Sequence, residues 1–192
     1  MKKFLAFTLI FFSTISNINA EEIKRIFVGN KDAKITIIAF ESLTCSHCAN
    51  FHKDVYPELK KNYLDTGLAK IEFRHFPLDI AAFNASKVAQ CNNDGDSKIL
   101  NTLFANQQKW VKGSSAAEAN ENLKKFLTSE GFNIDFEACI NDKKIEDFVL
   151  NDRIDGVKKF KVNATPTIII NDKKFEKTLN YKNLKKALEK LI

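Results

Sequence analysis

A strand-like segment that runs directly into a helix at a pair of cysteines constrains the fold of this chain more than any other feature. Residues 35–40 are β-branched, aromatic or small, with Thr36 as the one polar residue, which is typical of a strand buried on both faces. The cysteines follow as Cys45-Ser46-His47-Cys48. Apolar residues then recur at every fourth position, at Phe51, Val55, Leu59 and Tyr63. This period predicts a helix that begins at the first cysteine.

The position of Cys45 at the start of a helix favours its thiolate form. Free backbone N–H groups and the positive end of the helix dipole both stabilise negative charge there. A thiolate is the species that attacks a disulfide. Cys48 lies one turn further along the same face, near enough to form a disulfide with Cys45 once the side chains rotate inward. We therefore interpret the segment as a dithiol that cycles between reduced and oxidised states.

The residues after the cysteines complete a β–α–β unit. Pro57 is expected to kink the helix, and Thr66-Gly67 to end it. Residues 70–76 alternate between polar and apolar side chains, as a second strand does. The crossover of such a unit is right-handed, and its two strands are predicted to be parallel.

The rest of the chain is predicted to be helical up to about residue 160 and then to return to strands. Apolar residues recur at helical spacing through this tract, strand-like residues follow at 167–170 and near Phe175, and a last helix ends the chain. The predicted apolar stripe of that helix comprises Leu184, Leu188 and Leu191. The order of elements predicts a single α/β domain with a helical insertion at about residues 80–160.

The start of the chain indicates export from the cytosol. Two lysines precede the apolar residues 4–12, a run too short to span a bilayer, and a polar stretch then ends at Ala20. We interpret residues 1–20 as a secretory signal peptide. Ile18 is larger than the residue preferred at this point, so an uncleaved anchor is the alternative. Both interpretations predict an oxidising compartment, best matched by a bacterial periplasm, for a domain of residues 21–192.

Charge and composition argue against several classes of partner. The formal net charge is +6, and the lysines are spread along the chain rather than gathered in one block. This pattern is typical of solvated surfaces, so we expect no nucleic-acid binding. A zinc site is disfavoured because Cys45 and Cys48 have no second pair of ligands at a suitable spacing. We expect a monomer that needs neither a metal nor a cofactor.

Three segments together resemble the periplasmic thiol:disulfide oxidoreductases of the DsbA type, in the branch typical of alphaproteobacteria. They are residues 39–67, 71–79 and 164–175. The combination is specific because a C-x-x-C motif with His in its third position is followed far downstream by Thr165-Pro166 and an apolar strand. The resemblance covers nearly all of the predicted mature chain. It implies a thioredoxin fold with a helical insertion, in agreement with the order of elements.

The predicted chemistry assigns different roles to the two cysteines. Cys45 is expected to be the exposed nucleophile, and His47 can donate a hydrogen bond to its sulfur or carry a proton beside it. Cys48 is expected to be the resolving thiol, more buried and with a high pKa. Each unit by which the Cys45 pKa is depressed stabilises the reduced form by about 1.4 kcal/mol. A more stable reduced form makes the disulfide a stronger oxidant.

The resemblance also implies roles for residues distant from the motif. It implies that Pro166 is cis and lies against the redox pair, and that the backbone of Thr165 pairs with an extended substrate. Ser46 stands where the family usually has Pro, and Thr165 where the best-known oxidases have Val. These two departures leave the strength of oxidation open, but not the class of reaction.

Cys91 and Cys139 lie on helical stretches of the predicted insertion, outside any C-x-x-C motif. Two free thiols beside a reactive disulfide are a hazard in an oxidising compartment, so we predict that they form a structural disulfide. Similar pairs occur in the branch that the chain resembles. Two buried free thiols are the alternative.

Four other residues attract attention as candidates. We expect His52 and His75 to be surface or strand-end histidines, because neither has a partner at ligand spacing. Trp110 is expected to pack in the core or in the insertion. Glu41 has two interpretations: a carboxylate that passes protons to or from Cys48, or a solvated charge at the end of a strand.

The sequence thus predicts an oxidase that introduces disulfides into reduced or unfolded exported proteins. The resemblance implies that a quinone-linked membrane protein of the DsbB type reoxidises it. One alternative is a disulfide isomerase or reductase, which usually needs an added dimerisation domain that this length does not accommodate. The other is a periplasmic chaperone or peptide-binding module in which the Cys45–Cys48 disulfide is only structural.

Overall fold

The computed structural model describes residues 22–192, and the predicted signal segment lies outside them. The elements in chain order are β1 (Phe27–Gly29), β2 (Ile35–Glu41), α1 (Ser46–Asp54), α2 (Tyr56–Leu59), a π-helical turn (Lys60–Leu64), β3 (Ala69–His75), α3 (Ile80–Gln90), α4 (Lys98–Ala105), α5 (Gln107–Trp110), α6 (Ala116–Ser129), α7 (Phe136–Asn141), α8 (Lys143–Phe160), β4 (Thr167–Ile170), β5 (Lys173–Lys174) and α9 (Tyr181–Leu188). Among residues 22–192, no helix combines the length and apolar character needed to cross a bilayer.

The strands form one sheet with β2 at its centre. Their order is β1-β3-β2-β4-β5, with β2 and β3 parallel and the other neighbouring pairs antiparallel. The predicted parallel β–α–β unit is therefore confirmed. The side chains of β2 are buried on both faces except at Thr36, which explains why its sequence lacks polar alternation. The α/β fold class, a thioredoxin fold with a helical insertion, is confirmed as well.

The two faces of the sheet are covered by different helices. One face packs in a large core with α1, α2, α9 and helices of the insertion. On the other face, Ile38, Phe40 and Ile169 pack with residues at the end of α8 and just after it. The helices α3 to α8 follow one another between β3 and β4 and form the insertion. The insertion lies beside α1 and its redox turn, because α4 packs against α1.

The helix after the cysteines is divided into three segments rather than being one kinked helix. α1 ends at Asp54, α2 begins at Tyr56, and a π-helical turn follows. Pro57 lies in the first turn of α2, where its missing N–H is tolerated. The break falls at Val55, because Pro57 has no N–H to donate to the carbonyl four residues earlier and its ring clashes with that carbonyl. The residues of the predicted apolar stripe, Phe51, Val55, Leu59 and Tyr63, are all buried.

Two details differ from the sequence-based expectation. The edge strand β1 was not predicted, since three residues are too few to show a period. The short strand predicted near Phe175 is confirmed as β5, at Lys173–Lys174. Leu191 does not belong to the apolar stripe of α9, because that helix ends at Leu188 and leaves Leu191 45% exposed.

A disulfide between Cys91 and Cys139 connects two helices of the insertion. Cys91 is the C-cap of α3, and Cys139 is a buried residue of α7. The two cysteines are 48 residues apart in the sequence. Closing a loop of that length stabilises the fold by about 4 kcal/mol in the chain-entropy model.

Close packing between α8 and the sheet generates a prediction at Gly156. A Cβ added there would lie 2.9 Å from Cε1 of Phe40 and 3.2 Å from Cδ2 of Phe76, and Phe40 is fully buried. We expect Gly156→Leu to lower the free energy of unfolding by about 2 kcal/mol, because the buried ring has no room to move away. Lys158→Leu, on the exposed side of α8, is the control and should change stability by less than about 0.5 kcal/mol. Equal denaturant midpoints for the two variants would contradict this packing.

Candidate active site

The redox turn connects the end of β2 to the start of α1. Cys45 is the N-cap residue of α1, with φ −78° and ψ 120°. Its backbone N–H donates to the carbonyl of Ser42 at 3.0 Å, and its own carbonyl accepts from the N–H groups of Cys48 and Ala49 at 3.1 and 3.2 Å. Both cysteines of the motif are free thiols, Cys45 half-buried and Cys48 completely buried. The turn therefore presents one sulfur to solvent and hides the other.

The surroundings of Cys45 favour its thiolate. Its pKa is lowered from 9.0 to about 5, chiefly by a hydrogen bond from the Cys48 thiol. The Thr165 side chain and the backbone N–H groups of Cys48 and His47 lower the pKa further, while partial burial opposes them. These donors interact more strongly with a charged sulfur than with a neutral one. Cys45 is therefore ionised at neutral pH.

The same surroundings keep Cys48 protonated. Burial is the largest cause that raises the pKa of the Cys48 thiol, and its hydrogen bond to Cys45 and the charge of Glu41 raise it further. A thiol that stays protonated is a poor nucleophile toward outside disulfides. The two sulfurs therefore have opposite protonation states, although they are three residues apart.

The segment before β4 forms a wall beside the exposed sulfur. The Thr165–Pro166 peptide bond is cis. The Cys45 thiol donates a hydrogen bond to the carbonyl of Thr165, with an Sγ to O distance of 3.3 Å. The Thr165 hydroxyl is buried as well, and the Cys45 sulfur is the group on which it acts by lowering the thiol pKa. The fold thus brings together Cys45 and the predicted Thr165-Pro166 pair, which are 120 residues apart.

A buried acid and a histidine lie behind the redox pair. Glu41 is 4% exposed, and its Oε2 is 2.9 Å from Nε2 of His52. Its Oε1 is buried with no hydrogen-bond partner in the part of the chain that the structure describes. Burial raises the pKa of Glu41, and the nearby His52 partly offsets this rise. Glu41 is therefore a buried acid with a raised pKa, and its charge in turn raises the pKa of Cys48.

The expectation for His52 is wrong, and one of the two interpretations of Glu41 is excluded. His52 is not a surface residue: its side chain is 6% exposed, and its ring stacks on Phe104 of α4 at a centroid distance of 4.1 Å. Glu41 is not a solvated strand-end charge, because the end of β2 is covered by helices. The sequence did contain a signal for the burial of His52, since it lies four residues after Cys48, on the same helical face as that buried thiol.

Of the other residues considered from the sequence, His75 and Trp110 lie away from the redox pair, and Ser46 and His47 lie between its two cysteines. His75 is a strand-end residue that is buried rather than exposed; its Nε2 is 3.3 Å from Oε1 of Gln90, and burial lowers its pKa. Trp110 is buried in the insertion, and its Nε1 donates to the carbonyl of Leu103 at 2.9 Å. Ser46 and His47 are both exposed at the start of α1.

A cavity of about 530 Å³ opens beside the exposed sulfur. His47, Phe51 and the Thr165-Pro166 segment contribute to its walls, together with Tyr181 at the start of α9. Within residues 22–192, no three His, Cys, Asp or Glu side chains are grouped as ligands for a metal ion.

Comparisons with known proteins agree with this geometry. A family model described as thioredoxin matches residues 21–190 of the chain. The crystal structure of Wolbachia pipientis alpha-DsbA1 is similar, with a TM-score of 0.77 and 30% sequence identity over 87% of this chain and 90% of that chain. Disulfide bond formation protein D of Bacillus subtilis is 27% identical over 175 residues, which are 85% of this chain and 75% of that protein.

A Rickettsia bellii protein, provisionally named a protein-disulfide oxidoreductase, is 28% identical over 169 residues. The match covers 86% of this chain and 63% of the Rickettsia protein. The chain therefore spans less than two thirds of the length of that relative.

The low pKa of Cys45 generates a prediction about the reduced protein. Ultraviolet absorbance of the thiolate should titrate with a midpoint at about pH 5. Cys45→Ser should abolish that transition, whereas Cys91 and Cys139 do not titrate because they are bonded to each other. A midpoint near the ordinary cysteine value of about 8.5 would contradict the electrostatics of the turn.

The same shift predicts how stability depends on pH. A depressed pKa stabilises the folded reduced form above the pKa of the unfolded thiol, and this stabilisation is lost as the pH falls through the folded pKa. The free energy of unfolding of the reduced form, relative to the oxidised form, should therefore rise between about pH 5 and pH 9 and be flat below pH 5. Denaturant unfolding of both forms across this range measures the difference.

Proposed function

The chain belongs to the thioredoxin family and to its DsbA-type branch, and we propose that it is a thiol:disulfide oxidoreductase that donates the Cys45–Cys48 disulfide to other proteins. One observation supports this most directly. Two thiols one helical turn apart have pKa values shifted in opposite directions, down at the half-exposed Cys45 and up at the buried Cys48. A purely structural disulfide has no need of such a difference.

The reaction proceeds in two exchanges. A client thiolate attacks the Cys45 sulfur of the oxidised protein, a mixed disulfide forms, and Cys48 leaves and takes up a proton. A second client thiolate then attacks the client sulfur of the mixed disulfide, and Cys45 leaves as a thiolate. The client loses two electrons and gains a disulfide, while the Cys45–Cys48 pair gains the two electrons.

The direction of transfer follows from the leaving group. A Cys45 thiolate stabilised by the donors of the turn leaves easily and makes the reduced form the more stable one. For each pKa unit by which the thiolate is stabilised, the reduced form gains about 1.4 kcal/mol, or about 30 mV in reduction potential. The lowered pKa of Cys45 therefore favours an oxidase over a reductase.

Glu41 supplies the proton acceptor and donor for the buried sulfur in this proposal. When Cys48 leaves, a protonated Glu41 can give it a proton, and when Cys48 attacks during reoxidation, the Glu41 carboxylate can take that proton back. Burial with one unpartnered oxygen and a raised pKa suits both tasks. His52 holds the other oxygen.

The proposed cellular role follows the chemistry. We assign residues 1–20 to a signal peptide and residues 21–192 to one domain, with residues 80–160 as its insertion, acting in the periplasm as a monomer. The clients are reduced or unfolded exported proteins, and the cavity lined by Thr165 suits an extended segment of such a client. A membrane quinone-linked protein of the DsbB type is the proposed reoxidant.

Oxidation of a peptide that carries two cysteines tests the function. The oxidised protein should convert the reduced peptide to its disulfide form, one equivalent per Cys45–Cys48 pair, because the thiolate of Cys45 is the better leaving group. Mass spectrometry of both partners after acid quenching measures the transfer. If no peptide thiol reduces the Cys45–Cys48 disulfide of the oxidised protein, the proposal is wrong.

Variants separate the alternatives. Cys45→Ala should be inactive in peptide oxidation and in insulin reduction, whereas a chaperone or peptide-binding module would keep its client binding and show no redox activity to lose. When reduced Cys48→Ala is mixed with oxidised glutathione, it should accumulate a mixed disulfide between Cys45 and one glutathione, with the other glutathione released as a thiolate, since the resolving thiol is missing. A reductase or isomerase would instead show a strong insulin-reduction rate and poor peptide oxidation.

The proton role of Glu41 gives a separate prediction. Mixing the reduced protein with oxidised glutathione forms a mixed disulfide on Cys45, which Cys48 then resolves. Glu41→Gln should slow the resolving step about a hundredfold, because an amide cannot accept the Cys48 proton. Glu121→Gln, an exposed acid on α6, is the control. A Glu41→Gln variant that resolves the mixed disulfide at the normal rate would rule out this role.

A further inference from the structure

Gln107, the first residue of α5, connects the helical insertion to the redox turn. Its Nε2 donates to the carbonyl oxygen of Leu43 at 2.8 Å and to the carbonyl oxygen of Cys45 at 3.0 Å. Within residues 22–192, it is the only hydrogen-bond donor to the carbonyl of Leu43. A half-buried side chain of the insertion thus satisfies the Leu43 carbonyl and adds a third donor to the Cys45 carbonyl, next to the reactive sulfur.

The position of Gln107 is itself fixed by packing. Trp110, three residues later in α5, is 1% exposed, and its indole N–H donates to the carbonyl of Leu103 in α4. The N–H of Lys109 donates to the carbonyl of Asn106, the N-cap residue, at 2.8 Å and closes the first turn of α5. Gln107 therefore projects from a short but anchored element rather than from a mobile loop.

The two hydrogen bonds constrain the backbone that aims the sulfur. The relative orientation of the Leu43 and Cys45 carbonyls depends on the backbone torsions of Thr44 and Cys45. Cys45 has the extended torsions of an N-cap residue, which direct its side chain toward the first free N–H groups of the helix. Holding both carbonyls keeps the Cys45 sulfur within reach of the N–H groups of His47 and Cys48.

We infer that Gln107 is a positioning residue for the redox reaction, acting through the backbone of the Cys45 turn. The inference rests on the proposed function. In the reduced form the ionised sulfur needs the backbone donors that the turn presents, whereas in the oxidised form the sulfur is bonded to Cys48 and carries no charge. Loss of the Gln107 amide therefore destabilises the reduced form more than the oxidised form and makes the protein a weaker oxidant.

Two substitutions of Gln107 test this role. Gln107→Leu removes both donors at similar volume, and Gln107→Glu keeps the shape but has no N–H to offer when ionised. The measurement is the equilibrium constant with which the purified oxidised protein converts reduced to oxidised glutathione. We expect this constant to fall about fivefold in each variant, as for one net hydrogen bond, and the thiolate pKa of Cys45 to rise.

The neighbouring residue provides a matched control. Gln108 is exposed, and its side chain makes no hydrogen bond within the described part of the chain. Gln108→Leu should therefore keep the wild-type equilibrium constant. Unfolding of the oxidised and reduced forms distinguishes positioning from simple stabilisation, because a structural residue would destabilise both forms equally and leave the constant unchanged.

The outcomes separate this inference from the proposed function. A Gln107→Leu variant with the wild-type equilibrium constant would overturn the positioning role, whether or not its stability falls. A wild-type protein that does not exchange its disulfide with thiols would overturn the proposed function and this inference together. A fall in the constant for both Gln107 variants, with Gln108→Leu unchanged, supports the role.

Discussion

The site depends on one interaction, the stabilisation of negative charge on the Cys45 sulfur at the start of α1. The Cys48 thiol donates to that sulfur, and the Thr165 side chain and the free N–H groups of the first helical turn add to the effect. Burial works against the charge at Cys45 but is only partial there, whereas it is complete at Cys48 and keeps that thiol protonated. A single helix N-terminus thus gives two identical side chains different chemistry, because one lies at the surface and the other in the core.

The rest of the fold holds distant groups around this helix N-terminus. The end of β2 contributes Glu41, the segment before β4 contributes the Thr165 carbonyl, and the insertion contributes the Gln107 amide. Sheet pairing of β2 with β3 and β4 fixes the first two, since β4 runs antiparallel directly beside β2. The third depends on how the insertion packs against α1, with His52 stacked on Phe104 at that interface. The insertion is therefore part of the site and not only a cover over it.

What could be predicted from the sequence is what depends on local pattern. The unbroken apolar run of β2, the four-residue period of α1 and the C-x-x-C motif between them sufficed for the parallel β–α–β unit and for Cys45 at the helix start. The partners of His52 could not be derived in this way, because Glu41 comes from a strand and Phe104 from the insertion. Gln107 carries no local signal at all, since its two acceptors are backbone carbonyls more than sixty residues earlier.

The two departures from the family pattern, Ser46 and Thr165, differ in how they act on the Cys45 sulfur. Ser46 is exposed and is not among the groups that shift the pKa of Cys45, so its replacement of a proline leaves the main donors in place. Thr165 acts in both directions: its carbonyl accepts from the Cys45 thiol and favours the neutral form, while its side chain lowers the thiolate pKa. A valine there would keep the carbonyl and lose the hydroxyl. The backbone N–H groups of α1 are independent of either side chain, and for this reason the two departures bear on the strength of the proposed oxidation rather than on the class of the proposed reaction.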